Sequence, residues 1–177
     1  KPRSPYAVAK AAAFWEVANY REAYGLYACS GILYNHESPI RPERFVTRKI
    51  VAAACRIADG SGEKLSLGNV EVARDWGWAP EYVEAMALML QQPTPDDFVI
   101  ATGEVNSLAS FVETAFVEVG LEWKDHVVLD RSFLRPTDLA GGHGDPSYAA
   151  EKLGWRARYH MRDVVRMMVS GERELTA

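Results

Sequence analysis

Two short apolar runs constrain the fold most, because helical segments flank each of them. The runs are Leu26 to Leu33 and Asp97 to Ala101, and both read as buried strands. Between them, residues 45–58 carry apolar side chains at helical spacing, and Pro80 opens another helical segment. Apolar strands that alternate with helices of ~10–18 residues are typical of an α/β fold with a largely parallel sheet.

Capping and helix-breaking residues predict the remaining bounds. Ser4 and Pro5 suit a helix start, and Gly25 ends a helix that runs to about Glu22. Ser107 is expected to cap a helix that runs to about Val119. Further predictions are strands at 65–67 and 126–129, helices at 146–153 and 161–169, and loops at 34–42 and from 130 to 145.

The predicted sheet is small. Only the strands at 26–33 and 97–101 look central, whereas a doubly wound sheet normally has more strands. The sequence contains neither a G-x-G-x-x-G nor a Walker A phosphate loop. We therefore expect the amino-terminal half of the fold to precede Lys1.

Composition excludes some classes of function. The 177 residues carry a net charge of −4, which favours neither nucleic acid nor an anionic membrane as a partner. The apolar runs are too short to span a bilayer, and the chain does not open with a signal-peptide pattern. Cys29 and Cys55 stand in apolar contexts and suit core positions, so a reducing, cytoplasmic setting is expected.

Tyr6 and Lys10 are the first candidate catalytic residues. Four residues apart in a helix, they lie on one face, one turn apart. Free tyrosine has a pKa of about 10, and a nearby ammonium favours the phenolate. Such a pair suits removal of a proton from a substrate hydroxyl.

Polar residues cluster in the segments that follow the predicted strands, where α/β proteins bind ligands. Asn35, His36 and Arg41 follow the first strand. His36 could be a pH-active group, a metal ligand or a hydrogen-bond donor, but only Glu37 stands at ligand spacing, which argues against metal. Arg41 could hold a phosphate or a carboxylate.

Three further cations are candidates for binding a diphosphate, namely Lys49, Arg74 and Arg135. Asp75 and Asp138 stand close to two of them, and a carboxylate suits a ribose diol. Taken singly, each of these residues is also explained by a surface salt bridge.

Read together, these motifs resemble the GDP-mannose 4,6-dehydratase family of extended short-chain dehydrogenase/reductases. The resemblance runs from about Pro2 to Arg166. Y-x-x-x-K alone marks only the superfamily, whereas N-H-E-S-P, F-V-T-R-K-I and R-D-W-G together are specific. The motifs lie at 4–10, 31–39, 45–50, 67–69, 74–77, 97–104 and 135–137.

The resemblance implies a role for each candidate. Tyr6 would be the catalytic base at the C4 hydroxyl of the mannosyl group, and Lys10 would favour its phenolate and bind the nicotinamide ribose. Asp138 stands where the family usually has glutamate, and residues 40–44 depart from the family's arginine- and glycine-rich loop. The implied NADP contacts are Tyr6, Lys10, His36 and Arg41, and the implied GDP-mannose contacts are Asn35, Lys49, Arg74, Arg135 and Asp138.

The implied fold is a Rossmann-like α/β fold with a smaller carboxyl-terminal substrate domain. Residues 1–34 and 80–103 would belong to the NADP-binding part, and residues 35–79 and 104–177 to the nucleotide-sugar part. The implied reaction converts GDP-mannose to GDP-4-keto-6-deoxy-mannose by internal hydride transfer through NADP, in a homodimer or homotetramer.

Part of the implied active site is not in this sequence. A threonine, a glutamate and the dinucleotide loop are expected before Lys1, so the chain alone is expected to be inactive. Two alternatives stay open, namely another nucleotide-sugar epimerase, reductase or decarboxylase, and a non-catalytic nucleotide-sugar binding module.

Overall fold

Helices and strands alternate along the chain. The computed structural model describes residues 2–133 and 141–176. The helices are α1 (Pro5–Tyr24), α2 (Val46–Ala58), α3 (Ala79–Met89), α4 (Leu108–Glu118), α5 (Ser147–Leu153) and α6 (Met161–Thr176). The strands are β1 (Ser30–Leu33), β2 (Asn35–Glu37), β3 (Leu65–Leu67), β4 (Ala73–Arg74), β5 (Trp76–Trp78), β6 (Asp97–Ile100), β7 (Asn106–Ser107) and β8 (Val127–Leu129).

The strands of the described residues pair mostly in parallel. Three pairs, β1 with β6, β2 with β5 and β3 with β8, are parallel, and the pair of β4 with β7 is antiparallel. In the first pair Leu33 lies opposite Ile100, so both strands end at the same edge. The prediction of a largely parallel α/β arrangement is therefore confirmed.

The predicted helix starts are also confirmed. The Ser4 hydroxyl accepts a hydrogen bond from the Ala7 N–H (3.1 Å) at the start of α1, and Gly25 ends that helix with a left-handed backbone (φ 63°). The Ser107 hydroxyl caps α4 by accepting from the Ser110 N–H (3.1 Å). Helix α6 runs past the predicted end at 169, as far as Thr176.

The first predicted strand is shorter and less buried than expected. Only Ser30 to Leu33 is extended and paired, and Ile32 is 44% exposed. Residues 26–29 stay irregular because other groups hold them. The Arg21 Nε donates to the Ala28 carbonyl (2.8 Å), and the Tyr27 hydroxyl donates to the Gln92 carbonyl (2.6 Å).

The segment predicted as a loop at 34–42 contains a strand. Residues Asn35–Glu37 form β2 and pair with β5, and β4 next to β5 was also not predicted. Strands of two or three residues are too short to show an apolar alternation, so only their pairing partners define them.

Helix α3 buries fewer of its apolar side chains than its pattern predicts. Tyr82 and Met89 are buried, but Val83 (61%), Met86 (37%) and Leu90 (65%) are exposed. Met86 therefore does not fill the core, because this side of the helix faces away from β6 and α5.

The buried apolar side chains form two clusters. The helical cluster lies where α2, α4 and α6 pack on one another, and the strand cluster lies between β6, α3 and α5. The helical cluster includes Ile50, Leu67, Trp76, Phe111, Phe116 and Met168, and the strand cluster includes Tyr82, Met89, Phe98, Ile100, Leu153 and Trp155.

Helix α1 differs from the other helices because none of its side chains is buried. Its aromatic residues Tyr6 (73%), Trp15 (70%) and Tyr24 (69%) are among the most exposed apolar side chains of the described residues.

Cys29 and Cys55 are free thiols. Within residues 2–133 and 141–176, no helix is both long enough and apolar enough to cross a membrane.

Candidate active site

Tyr34 marks the edge at which β1 and β6 end. Its N–H donates to the Ile100 carbonyl (2.9 Å), and its hydroxyl donates to the His143 carbonyl (3.1 Å). A Cβ on Gly144 would lie 2.5 Å from the Ala101 Cβ and 3.0 Å from the Tyr34 ring. Only glycine fits here, so the end of the glycine-rich segment, His143 and Gly144, lies against the edge where α/β proteins bind ligands.

His36 lies two residues after Tyr34, in β2. Its Nδ1 is 2.8 Å from the Tyr34 carbonyl oxygen, and its ring stacks on Tyr82 with centroids 4.8 Å apart. The side chain is half-buried. His36 could have been a pH-active group, a metal ligand or a hydrogen-bond donor, and the contact with Tyr34 shows the hydrogen-bonding role.

Arg41 is engaged with its own loop. Its Nη1 donates to the His36 carbonyl (3.1 Å), and its Nε lies 3.0 Å from Glu37 Oε2, although without hydrogen-bond geometry. The guanidinium also lies 4.1 Å from the centroid of the Phe45 ring. Arg41 therefore fixes the loop around His36 before any ligand binds.

Glu37 is the buried carboxylate of this loop, and its side chain is 1% exposed. It accepts a hydrogen bond from the Thr47 hydroxyl (2.8 Å). Burial raises the pKa of Glu37 to about 7, although Arg41 and Thr47 act in the opposite direction. The carboxylate thus joins β2 to the first turn of α2.

Asp75 is a buried carboxylate that binds backbone N–H groups. Its carboxylate is fully buried and accepts hydrogen bonds from the N–H groups of Thr102 (3.0 Å) and Gly103 (2.8 Å). Asp75, the single residue between β4 and β5, therefore connects these strands to the turn after β6. Each of its two oxygens thus already accepts a backbone N–H, which gives Asp75 a structural role in this turn.

Arg74 lies in β4, and Lys49 lies in the first turn of α2. The Arg74 Nη1 donates to the Ala73 carbonyl (2.7 Å) within β4. The Lys49 Nζ donates to the Ser66 carbonyl in β3 (2.8 Å) and lies 5.1 Å from the centroid of the Phe133 ring. Both cations are half-buried, and each is oriented by backbone oxygen.

Gly68 explains how Phe133 reaches Lys49. A Cβ on Gly68 would lie 2.9 Å from the Phe133 carbonyl oxygen and 3.0 Å from its Cβ. The glycine therefore lets the turn at 131–133 approach β3 closely. Arg135 and Asp138, which follow this turn, lie outside the described residues.

The remaining candidates are exposed. Asn35 lies in β2, opposite Trp76 of β5, with its side chain exposed. Tyr6 and Lys10 lie in the first turns of α1 and are exposed as well. Within the described residues, hydrogen bonds and ion pairs bring His36 and Arg41 together but do not link Tyr6 or Lys10 to them.

Sequence reasoning missed the residues that support His36, above all Tyr82. One signal was present in R-D-W-G, because a glycine inside a strand marks a close approach by another group. A Cβ on Gly77 would lie 2.4 Å from the Tyr82 ring. The sequence alone did not show that the approaching group is Tyr82. Nor did it show that Tyr82 also stacks on His36, which lies far from it in the chain.

Comparison with known proteins gives the same family as the motifs. The sequence matches the family model described as GDP-mannose 4,6 dehydratase over residues 1–168. It is 55% identical over 174 residues to GDP-mannose 4,6 dehydratase 1 of Arabidopsis thaliana, covering 98% of this chain and 48% of that protein. It is 47% identical over 191 residues to human GDP-mannose 4,6 dehydratase, covering 98% of this chain and 51% of that protein.

A solved structure is similar over nearly the whole chain. It is the structure of RMD from Pseudomonas aeruginosa complexed with NADPH, with a TM-score of 0.89 at 20% identity. The match covers 99% of this chain and 58% of that one, which establishes the fold alone. The chain spans about half the length of the curated relatives it matches.

Proposed function

Because the chain belongs to the GDP-mannose 4,6-dehydratase family and has the Rossmann-like fold of the extended short-chain dehydrogenase/reductases, we propose that the protein containing it dehydrates GDP-mannose to GDP-4-keto-6-deoxy-mannose. The observation that carries the proposal is the family match over residues 1–168, which includes every candidate site residue. The enzyme would be a carbon–oxygen lyase that uses NADP, a choice supported by the resemblance and by the NADPH in the similar RMD structure.

The residues present fit a nicotinamide dinucleotide in their chemistry. His36 keeps one ring nitrogen without a bond to any described residue, at the edge where parallel strands end. Tyr6 and Lys10 present a phenol and an ammonium on the exposed side of α1. We assign these three residues and Arg41 to the cofactor, which when bound supplies reversible hydride transfer.

The substrate would bind through its diphosphate and ribose. We assign Asn35, Lys49, Arg74, Arg135 and Asp138 to GDP-mannose. Support comes from Lys49 and Arg74, whose charged groups are held by the Ser66 and Ala73 carbonyls. A cation whose position is fixed before binding loses little side-chain entropy when it meets a phosphate.

Tyr6 would start the reaction as general base. Its phenolate would take the proton of the C4 hydroxyl as the hydride leaves C4, and Lys10 would stabilise the phenolate by its charge. Hydride transfer through the bound cofactor would keep the keto group at C4 and deliver the hydride to C6 after water is lost across C5 and C6. The elimination needs an acid and a base beyond Tyr6, and the resemblance implies a threonine and a glutamate for it.

We further propose that residues 1–34 and 80–103 form the cofactor part and residues 35–79 and 104–177 the nucleotide-sugar part. The two apolar clusters support this division, because every buried residue of the helical cluster comes from the second set. Helix α5 is an exception, since it belongs to the second set but packs on β6 of the first.

The protein would act as a homodimer or homotetramer in the cytoplasm. The free thiols of Cys29 and Cys55 agree with a reducing compartment.

The proposal is tested by following GDP-mannose turnover in the protein that contains this sequence. Product analysis against UDP- and dTDP-sugars separates a dehydratase from an epimerase, a reductase or a decarboxylase. Tyr6→Phe is expected to lower kcat by about 10²–10⁴-fold with GDP-mannose affinity near normal, because only proton removal is lost. Tyr24→Phe is the matched control, since Tyr24 is exposed on the same helix. Full activity of the Tyr6→Phe variant would remove Tyr6 from its role.

A further inference from the structure

The contact between His36 and Tyr34 fixes which nitrogen of the neutral imidazole carries the proton. Nδ1 lies 2.8 Å from the Tyr34 carbonyl oxygen, and a carbonyl can only accept. Nδ1 is therefore the donor. The neutral ring then has its lone pair at Nε2, to which no residue in 2–133 or 141–176 bonds, so Nε2 can accept a hydrogen bond from a ligand.

Tyr82 holds the face of the same ring. Tyr82 is fully buried, and its ring stacks on His36 with an interplanar angle of 28°. Two further residues lie close to its ring. A Cβ on Gly77 would lie 2.4 Å from it, and Trp155 packs against it edge to face at 5.9 Å. The imidazole is thus held by Tyr34 at one edge and by Tyr82 across its face.

The ring of Tyr82 makes this contact, and its hydroxyl does not. The hydroxyl is buried and has no hydrogen-bond partner among the described residues. A buried polar group without a partner costs about 1–3 kcal/mol. The hydroxyl of Tyr82 therefore does not stabilise the fold through a hydrogen bond. The stacked aromatic surface is the part of Tyr82 that acts on His36.

We propose that Tyr82 is a positioning residue that holds neutral His36 with Nε2 as a hydrogen-bond acceptor, and that the group it accepts from is a hydroxyl or amide N–H of the nicotinamide dinucleotide. A phosphate does not fit, because phosphate oxygens also accept and would meet the lone pair of Nε2. This inference rests on the proposed function, since it takes the cofactor contact of His36 from there.

The tautomer can be tested without any cofactor. Long-range ¹⁵N–¹H correlation spectra of the ¹⁵N-histidine-labelled chain are expected to show His36 protonated at Nδ1 in slightly alkaline solution. His36→Gln identifies its signals among those of the four histidines. Tyr82→Phe is expected to keep this pattern, and Tyr82→Leu is expected to give a mixture of tautomers. A proton at Nε2 in the unaltered chain overturns the inference and leaves the proposed function untouched.

The ligand contact is tested by calorimetry on the protein that contains this sequence, with NADP⁺ and with GDP as probes. Tyr82→Leu is expected to weaken NADP⁺ about tenfold, the loss of roughly one hydrogen bond, with GDP affinity unchanged. Tyr82→Phe should bind NADP⁺ as tightly as the unaltered protein, because phenylalanine keeps the ring that stacks on His36. His36→Gln, whose amide oxygen can replace the Nε2 acceptor, should bind NADP⁺ more tightly than His36→Asn.

A matched control is Tyr148→Leu, since Tyr148 stacks on Phe98 with centroids 5.3 Å apart, whereas the ring that stacks on His36 is Tyr82. It should leave both affinities unchanged. Equal weakening of NADP⁺ and GDP by Tyr82→Leu would make Tyr82 merely structural and would overturn the proposal. If Tyr82→Leu does not fold, a His36→Asn variant that binds NADP⁺ as well as His36→Gln overturns it instead. Lack of GDP-mannose turnover by the unaltered protein would count against the proposed function alone.

Discussion

Among single residues, Glu37 is a buried carboxylate whose titration should make the stability of the chain depend on pH. Burial raises its pKa from 4.5 to about 7. An unfolded chain loses this proton near the lower value, so between the two values the folded state binds more protons. The free energy of unfolding therefore falls as the pH rises through this window, by about 3 kcal/mol in all.

Glu37→Gln removes this dependence and keeps the shape of the side chain. We expect the difference in free energy of unfolding between the unaltered chain and the variant to fall by about 2–3 kcal/mol from pH 5 to pH 8, as measured by urea unfolding. Glu43→Gln is the control, because that carboxylate is 58% exposed in the same loop. Parallel pH curves for the unaltered chain and Glu37→Gln would contradict the prediction.

Gly77 tests how tightly Tyr82 is packed. A Cβ at this position would lie 2.4 Å from Tyr82 Cε2 and 2.7 Å from its hydroxyl oxygen. Its φ is not positive, so crowding alone requires glycine. Gly77→Ala is expected to lower the free energy of unfolding by about 1–3 kcal/mol.

A double-mutant cycle by urea unfolding checks the cause. Tyr82→Leu removes the ring atoms that the new Cβ would meet, so Gly77→Ala should cost much less in that background. If the costs of the two changes simply add, the crowding is not with Tyr82.

Among the elements, those with local signals were the ones that sequence could predict. Helix α1 is marked by Ser4, Pro5 and Gly25, and α4 by Ser107, and each of these residues acts within its own turn. Strands β2, β4 and β5 have two or three residues and depend on partners elsewhere in the chain. Their pairing is a property of the fold, which local sequence does not carry.

The candidate site divides in the same way. Resemblance could name His36 and Arg41 because their motif is contiguous in sequence. It could not show that Arg41 is engaged with Glu37 and the His36 carbonyl, or that Asp75 binds two backbone N–H groups. Those contacts arise only when separate loops come together.

Helix α1 is attached to the rest of the structure mainly at its last turn. Arg21 donates to Asp97 (Nη2 to Oδ1, 2.5 Å), and Asp97 also accepts from the Ser30 N–H (3.0 Å). Burial alone would raise the pKa of Asp97, but the hydrogen bonds from Arg21 and Ser30 together lower it below its usual value. This ion pair therefore holds α1 against β1 and β6 at neutral pH.

Arg21→Met should loosen the helix without unfolding the other helices. Loss of about 1 kcal/mol would speed amide hydrogen exchange in residues 5–24 roughly fivefold, with exchange in α2 unchanged. Arg56→Met is the matched control, because Arg56 is paired with Glu43 and Glu63 on an exposed face. Unchanged exchange in α1 would show that other contacts hold it.

At the scale of the whole molecule, the two apolar clusters predict two regions that can be destabilised separately. Phe98 is 2% exposed in the strand cluster, and Phe116 is fully buried in the helical cluster. Truncating either ring to alanine should cost about 3–5 kcal/mol. Each truncation should lower local stability most in the helices and strands that pack on that ring.

Hydrogen exchange followed by mass spectrometry can separate these effects. Phe98→Ala is expected to speed exchange most in β1, β6, α3 and α5, and Phe116→Ala most in α2, α4 and α6. The two variants serve as controls for each other, because each removes the same ring from a buried site. If both speed exchange equally everywhere, the clusters unfold as one cooperative unit, and the proposed division into a cofactor part and a nucleotide-sugar part loses its physical support.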